Sequence, residues 1–406
     1  MLSSWSRVGE QIGIRCSIVR GGTSKGVFLM EDDLPPPGSE RDALVKRIMG
    51  TPDPMQIDGL GGTHLITSKV AVIGKSKSPD ADIDYTFAQI DIERDIIDWE
   101  ANCGNISAGV GPFSIDADLV AAADDVTNVR IRNINTGKNF IARVPMAEGH
   151  AAVHGDCEID GVPGTGAEVL LDFVDTPGAK TGKVLPTGNT KDIMVLEDGS
   201  EIEVSLCDYA NPALFFRAED IGMRGDEGPK DLNNNHELVE RIAEIHAKGA
   251  QMFGFTDDWR RADETSALLP LTFFVSPPTD YKSYSLHDAG DIVNGADMDF
   301  KSRLYFMRKC HERYPGTGSM VTAAASRIPG TLVNDIVIAS GAEHRNRVPT
   351  AKHMRVGHPG GTMTVQAIAK SANNELGVEF ESLAFPRTAR KIMDGTVYVP
   401  AIAECS

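Results

Sequence analysis

The sequence predicts an α+β fold in two strand-rich lobes, each half carrying one buried helix threaded through a curled sheet. Three observations carry this. At 406 residues the chain is too long for one ordinary hydrophobic core and divides most naturally into two domains of similar size. Short apolar or alternating runs bounded by Gly, Pro, Asn and Asp recur along its length, the pattern of many strands. Two segments, one in each half, open on a glycine turn and continue through small and apolar residues on every face, as a helix enclosed on all sides would.

Strands are predicted at 14–19, 26–30, 69–73, 83–90, 129–134, 184–186, 202–206, 271–275, 363–367 and 396–399. Two peripheral helices accompany them. Residues 39–49 open on Ser39 as N-cap and stop at Gly50, while 237–248 carry Leu238, Val239, Ile242 and Ile245 at helical spacing and stop at Gly249. The first threaded helix follows Asn102-Cys103-Gly104-Asn105 and continues Ile106-Ser107-Ala108-Gly109-Val110. The second follows Tyr314-Pro315-Gly316-Thr317-Gly318 and continues Ser319-Met320-Val321-Thr322-Ala323-Ala324-Ala325. The segments 26–34 and 213–221 echo each other, both apolar strands that end in acids before Leu or Ile, in keeping with an internal repeat. The stretch 186–201 is the best boundary. It gives an N-terminal lobe of 1–190 with Lys69 and the Cys103 helix, and a C-terminal lobe of 191–406 with the Gly316 to Gly318 helix start, the last strands being free to return to the first lobe.

Composition excludes several function classes. The formal net charge is −18 with no basic run to offset it, which argues against a nucleic-acid or anionic-membrane partner. No stretch approaches the roughly 18 uninterrupted apolar residues of a spanning helix, and residues 1–15 lack the apolar core of a signal peptide, so a cytoplasmic protein is expected. Cys16, Cys103, Cys157, Cys207, Cys310 and Cys405 are far apart, without Cys-x-x-Cys or Cys/His spacings, so neither zinc nor disulfides are expected.

Two residues stand out chemically. Cys103 lies where the Gly104-Asn105 turn enters a helix, a position whose free N–H groups and dipole favour a thiolate; a buried structural cysteine is the plain alternative. Lys69 heads the apolar run Val70-Ala71-Val72-Ile73, where partial desolvation suits a lysine to general-base work; the alternative is a surface lysine capping a strand. The glycine clusters 20–26, 59–63 and 316–319 fit neither a Walker A loop nor a dinucleotide fingerprint, but their backbone N–H groups can hold carboxylates, or they can be plain turns. Arg355, His358, Arg387 and Arg390 are further candidates to neutralise an acid.

From about residue 14 to 400 the chain resembles the family of methylitaconate Δ-isomerase and 2-methylaconitate cis-trans isomerase, whose fold is like that of diaminopimelate epimerase. The resemblance is carried by 20–26, Gln56-Ile57-Asp58-Gly59, Thr67-Ser68-Lys69 and the block 102–113. Asn135-Thr136-Gly137-Lys138, Asp160-Gly161-Val162-Pro163-Gly164-Thr165, 182–189 and Arg327-Ile328-Pro329-Gly330-Thr331 add to it. It implies two pseudo-symmetric lobes, each a barrel-like curled sheet around a central helix, with substrate held between the helix starts. It also implies that Lys69 and Cys103 are the catalytic acid/base pair. Pro315 stands where racemases and epimerases of this fold place a second cysteine, which argues for an asymmetric Lys/Cys arrangement.

The implied activity is cofactor-independent allylic proton transfer in a small unsaturated di- or tricarboxylic acid, with 3-methylitaconate to 2,3-dimethylmaleate as the best guess. Gly22, Thr23, Ser24, Ser68, Gly104, Asn105, Ser107, Asn211, Gly316, Thr317 and Gly318 would bind the substrate. No metal, flavin, nicotinamide or pyridoxal group is required, and a homo-oligomer is compatible with the reading. The rivals are an amino- or hydroxy-acid racemase, a 2-methylaconitate or aconitate isomerase, a 4-oxalomesaconate tautomerase, and a non-catalytic tricarboxylate-binding accessory protein.

Overall fold

A computed structural model describes residues 4–99, 103–159, 161–284, 290–341 and 352–401. Asn102, Asp160 and Cys405 lie outside the described residues. The chain divides into two units, Met1–Asp172 with Pro386–Ser406, and Phe173–Phe385.

In the first unit, β1 (Gln11–Gly21) and β2 (Ser24–Met30) form an antiparallel hairpin. The chain crosses over through α1 (Ser39–Met49), returns as β3 (Lys69–Lys75) parallel to β2, and turns back as β4 (Ile83–Ile90). After α2 (Gly104–Asp116), β5 (Val126–Asn133) lies parallel to β4, and β6 (Lys138–Ala147) and β7 (Val169–Asp172) follow antiparallel. Strand alternation sends Val27, Leu29, Val70, Val72, Ala88 and Ile90 to one face, where Leu44, Val45, Ile48 and Met49 of α1 seal them. The opposite face wraps α2, which packs on β1, β2, β3, β5, β6 and β7. Small residues make this possible. A Cβ on Gly109 would lie 2.9 Å from the Phe28 ring, and one on Gly111 2.8 Å from Val144, so larger side chains would push the sheet off the helix.

In the second unit, β8 (Asp192–Val195), β9 (Glu201–Tyr209) and β10 (Asn211–Arg217) are antiparallel. After α3 (His236–Met252), β11 (Leu271–Ser276) runs parallel to β10 and β12 (Phe300–Phe306) antiparallel to β11. Past α4 (Gly316–Arg327) and α5 (Leu332–Ala339), β13 (His353–His358) is parallel to β12, and β14 (Gly361–Ser371) and β15 (Val378–Arg387) are antiparallel. Residues 318–326 of α4 are all buried, and α3 covers the other face of the sheet with Ile242 and Ile245 on Leu206, Leu214, Phe216 and Phe274.

The last strand, β16 (Ala389–Pro400), belongs to the first unit and pairs with β1 from Gln11↔Pro400 to Gly21↔Ala389. Read from β16 through β1 to β7, neighbouring strands are antiparallel, antiparallel, parallel, antiparallel, parallel, antiparallel and antiparallel. From β8 to β15 the order of senses is the same. The two units are therefore topological copies. The sequence echo falls on equivalent strands, β2 and β10, each leaving into a 3-10 turn, Glu31–Asp33 and Ala218–Ile221.

Three local expectations are corrected. Residues 184–186 are a turn, closed by Gly188 N–H donating to Leu185 O at 3.0 Å, and the left-handed backbone of Gly182 and Gly188 bends the chain on either side. Ser39 is the first residue of α1, with Gly38 as its cap. α3 passes through Gly249 to Met252: that glycine makes room for Leu214, 3.0 Å from a would-be Cβ, and the left-handed residue after the helix is Gly254.

α3 also carries a buried histidine. His246 Nε2 lies 3.3 Å from Ser266 O and Nδ1 3.0 Å from the Thr272 hydroxyl, an arrangement that suits the neutral ring, and burial lowers its pKa. The unfolded chain therefore takes up this proton first, so stability is expected to fall as pH drops below about 6.5. Urea midpoints measured between about pH 8 and about pH 5 should fall in the native sequence and fall less in His246→Gln; equal slopes would remove this histidine as a cause.

Candidate active site

Lys69 opens β3 with its side chain on the face that encloses α2, 8% exposed. Its Nζ donates to Gln89 Oε1 at 2.5 Å and sits 5.1 Å from the centre of the Phe87 ring. Gln89 lies opposite Lys69 in the β3/β4 register, and its amide nitrogen faces the carbonyls of Leu65 and Ser68 at 3.1 Å and of Ile90 at 3.3 Å. No carboxylate forms an ion pair with Lys69 among the described residues.

Cys103 is the N-cap of α2, half-buried and extended at φ −134°, ψ 101°. Its carbonyl accepts from Ser107 N at 3.0 Å and from the Ser107 hydroxyl at 2.9 Å. The Cys103 side chain does not cap the first turn, and among the described residues the N–H groups of Gly104, Asn105 and Ile106 and the positive end of the helix dipole remain available to negative charge. The other described thiols sit differently. Burial raises the pKa of Cys16, Cys157, Cys207 and Cys310, the last to about 12, which suits packing and not nucleophilic work.

The β1/β2 hairpin lies against both the first turn of α2 and the start of β3. A Cβ on Gly21 would stand 2.4 Å from Asn105 O and 3.1 Å from Ile106 Cα, so the strand runs directly against the first turn of α2. Gly26, farther along the hairpin, pairs with Lys69 on one side and lies 3.2 Å, by its would-be Cβ, from Ile106 Cδ1 on the other. Asn105 Oδ1 accepts from Arg387 Nε at 3.1 Å, and Arg20 ties the hairpin to β16 by donating to Gly22 O, Thr388 O and the Thr388 hydroxyl. Tyr85, fully buried, shares the inner face of β4 with Phe87 and Gln89. Burial first, and then the neighbouring Cys103 thiol, push its pKa well above the usual phenol range, while Ser107 acts in the opposite direction. The Tyr85 hydroxyl has no well-aligned hydrogen-bond partner.

The remaining sequence candidates fall into several places. Thr23 is half-buried in the hairpin turn and Ser24 buried next to it, while Ser107 is buried in the first turn of α2. Ser68 is fully buried, donating to Gln56 Oε1 at 2.6 Å and accepting from Gly62 N at 3.3 Å, so it fastens the second glycine cluster. In the second unit Asn211 opens β10, and Gly316, Thr317 and Gly318 open α4 with Pro315 as N-cap and no side-chain cap. Pro315 thus stands at the head of α4 as Cys103 stands at the head of α2. Of the C-terminal cations, Arg355 is paired with buried Asp299 at 2.9 Å, His358 is buried in β13, and Arg387 supports Asn105. Among the described residues no group of three or more His, Cys, Asp or Glu side chains can hold a metal ion.

Gln89, Phe87 and Tyr85 escaped the reading of the sequence. Their signal was the alternation Tyr85-Thr86-Phe87-Ala88-Gln89-Ile90, in which a glutamine shares the face of two aromatics.

The chain and its fold have counterparts among known proteins. The chain is 46% identical over 392 residues to 3-methylitaconate isomerase of Eubacterium barkeri, covering 97% of this chain and 98% of that one. It is 38% identical to 2-methyl-aconitate isomerase of Cupriavidus necator, covering 97% and 98%, and 36% identical to 4-oxalomesaconate tautomerase of Pseudomonas putida, covering 96% and 97%. The crystal structure of a methylitaconate-delta-isomerase superposes with a TM-score of 0.88 at 44% identity, over 98% of this chain and 99% of that one. The PrpF protein profile matches residues 11–400, from the start of β1 to the end of β16 and with both helix starts included, and the chain is accordingly a member of the PrpF protein family.

Proposed function

We propose that this protein is an isomerase that transfers a proton across the allylic system of a small unsaturated dicarboxylic acid, converting 3-methylitaconate to 2,3-dimethylmaleate, with Lys69 and Cys103 as its acid/base pair. The observation that carries the chemistry is the presence, in one unit, of a buried lysine whose partners among the described residues are neutral and of a thiol at the start of a buried helix. The substrate rests on the 46% identity to a 3-methylitaconate isomerase, above that to the methylaconitate and oxalomesaconate enzymes.

The base takes the proton from the methyl-bearing carbon next to a carboxylate. The electron pair spreads through the double bond as a dienolate, and the acid delivers a proton to the terminal methylene, which becomes a methyl group. The developing negative charge is met by the N–H groups of Gly104 and Asn105 at the start of α2. Pro315 supplies no thiol, so the reading needs one acid/base group from a lysine and one from a cysteine. No cofactor enters the scheme.

Proton NMR in deuterated buffer tests it. The protein is mixed in turn with 3-methylitaconate, 2,3-dimethylmaleate, 2-methylaconitate, cis- and trans-aconitate and 4-oxalomesaconate. Deuterium is expected in the newly formed methyl group of dimethylmaleate. Exchange only with a tricarboxylate would move the substrate to that acid, and thermal stabilisation without exchange would make the protein a binding partner.

A further inference from the structure

We infer that Gln89 is a positioning residue for the reaction: it aims Lys69 and leaves it without a paired charge. The inference rests on the proposed role of Lys69. The amide has little freedom. Its nitrogen faces three carbonyls, of Leu65, Ser68 and Ile90, and its oxygen faces Lys69 Nζ at 2.5 Å. Turning the amide over would set its oxygen against those carbonyls and its NH2 against the ammonium, so the network fixes which end meets the lysine. The other wall is the Phe87 ring, 5.1 Å away, which attracts a cation without holding a proton from it. A glutamine therefore gives Lys69 a direction without a charge to pair with it. A carboxylate in that place would bind the ammonium and fix its proton.

The test uses two substitutions of similar volume, Gln89→Glu and Gln89→Met, in the full-length protein, with kcat/KM followed against pH on 3-methylitaconate or on whichever acid of the panel turns over. The limb of the profile that belongs to Lys69 is identified beforehand by its absence in Lys69→Met. In Gln89→Glu the added charge should move that limb upward by about one to three pH units. In Gln89→Met the loss of the acceptor should move it downward, with kcat reduced and KM little changed. Opposite displacements are not produced by a general loosening of the fold. The limb also tells the direction of proton transfer, since it is the acidic one if Lys69 is the base and the basic one if Lys69 is the acid. Unmoved limbs in folded variants, or loss of folding in both, would overturn the role of Gln89 and leave Lys69 as proposed. Full activity of Lys69→Met would instead remove the reading on which the inference rests.

Discussion

Lys69→Met and Cys103→Ala are each expected to lower kcat by about 100- to 10,000-fold, the share of a rate that a positioned acid or base supplies. Neither change should unfold the protein. Lys69 packs between Phe87 and Gln89, and methionine keeps most of its length and apolar stem. Cys103 is half-buried at a helix start, and its thiol makes no capping hydrogen bond. A double variant should be little worse than either single one, because each group is useless without the other. Circular dichroism and the urea midpoint establish folding, and the exchange experiment in deuterated buffer separates the two roles. The variant that lacks the base should stop washing deuterium into the substrate. The variant that lacks the acid can still exchange at the carbon from which the proton leaves. Near-native turnover in either single variant would exclude that residue from the pair.

Gly21→Ala is expected to have the largest effect among changes that touch no reacting group. Its methyl would fall 2.4 Å from Asn105 O, with Ile106 Cα and O both at 3.1 Å, so every close neighbour is backbone. Neither side can yield easily. Gly21 is pinned between β2 and β16, and α2 is enclosed by the sheet. A destabilisation of about 2–3 kcal/mol is expected from the overpacking. Displacing the helix start by even part of an ångström should also cost about 100-fold in kcat in the protein that does fold. The urea midpoint and kcat measured on the same preparation check both. A stable variant with native turnover would mean that the hairpin does not set the position of Asn105.

The threaded helices were legible in the sequence because runs such as Ile106-Ser107-Ala108-Gly109-Val110 have no polar face, and a helix of that kind must be surrounded. The repeat was legible for a related reason. The strands at 26–30 and 213–217 both leave apolar runs for acidic 3-10 turns, which marks equivalent exits from the two sheets. The partners of Lys69 were not legible. Gln89 reaches it only through the β3/β4 register, and a shift by one residue would have sent the glutamine to the α1 side. Ser68 drew notice as part of a motif, but its link to Gln56 depends on how residues 56–63 fold back. At Gly249 one residue type serves both helix ends and close packing, and only the neighbour, Leu214, tells which.

The return of β16 to β1 has a consequence for how the chain is made. On the ribosome the whole of 173–385 emerges between the two strands that must pair, so one edge of β1 waits on the order of tens of seconds without its partner. By the end of that interval the second unit, contiguous in the chain, has its strands in hand. The first has neither the backbone acceptor that Thr388 offers to Gly22 nor the Arg387 side chain that holds Asn105. The hairpin and the head of α2 thus gain these contacts late in biosynthesis, and until then the nascent chain carries a strand with one unpaired edge.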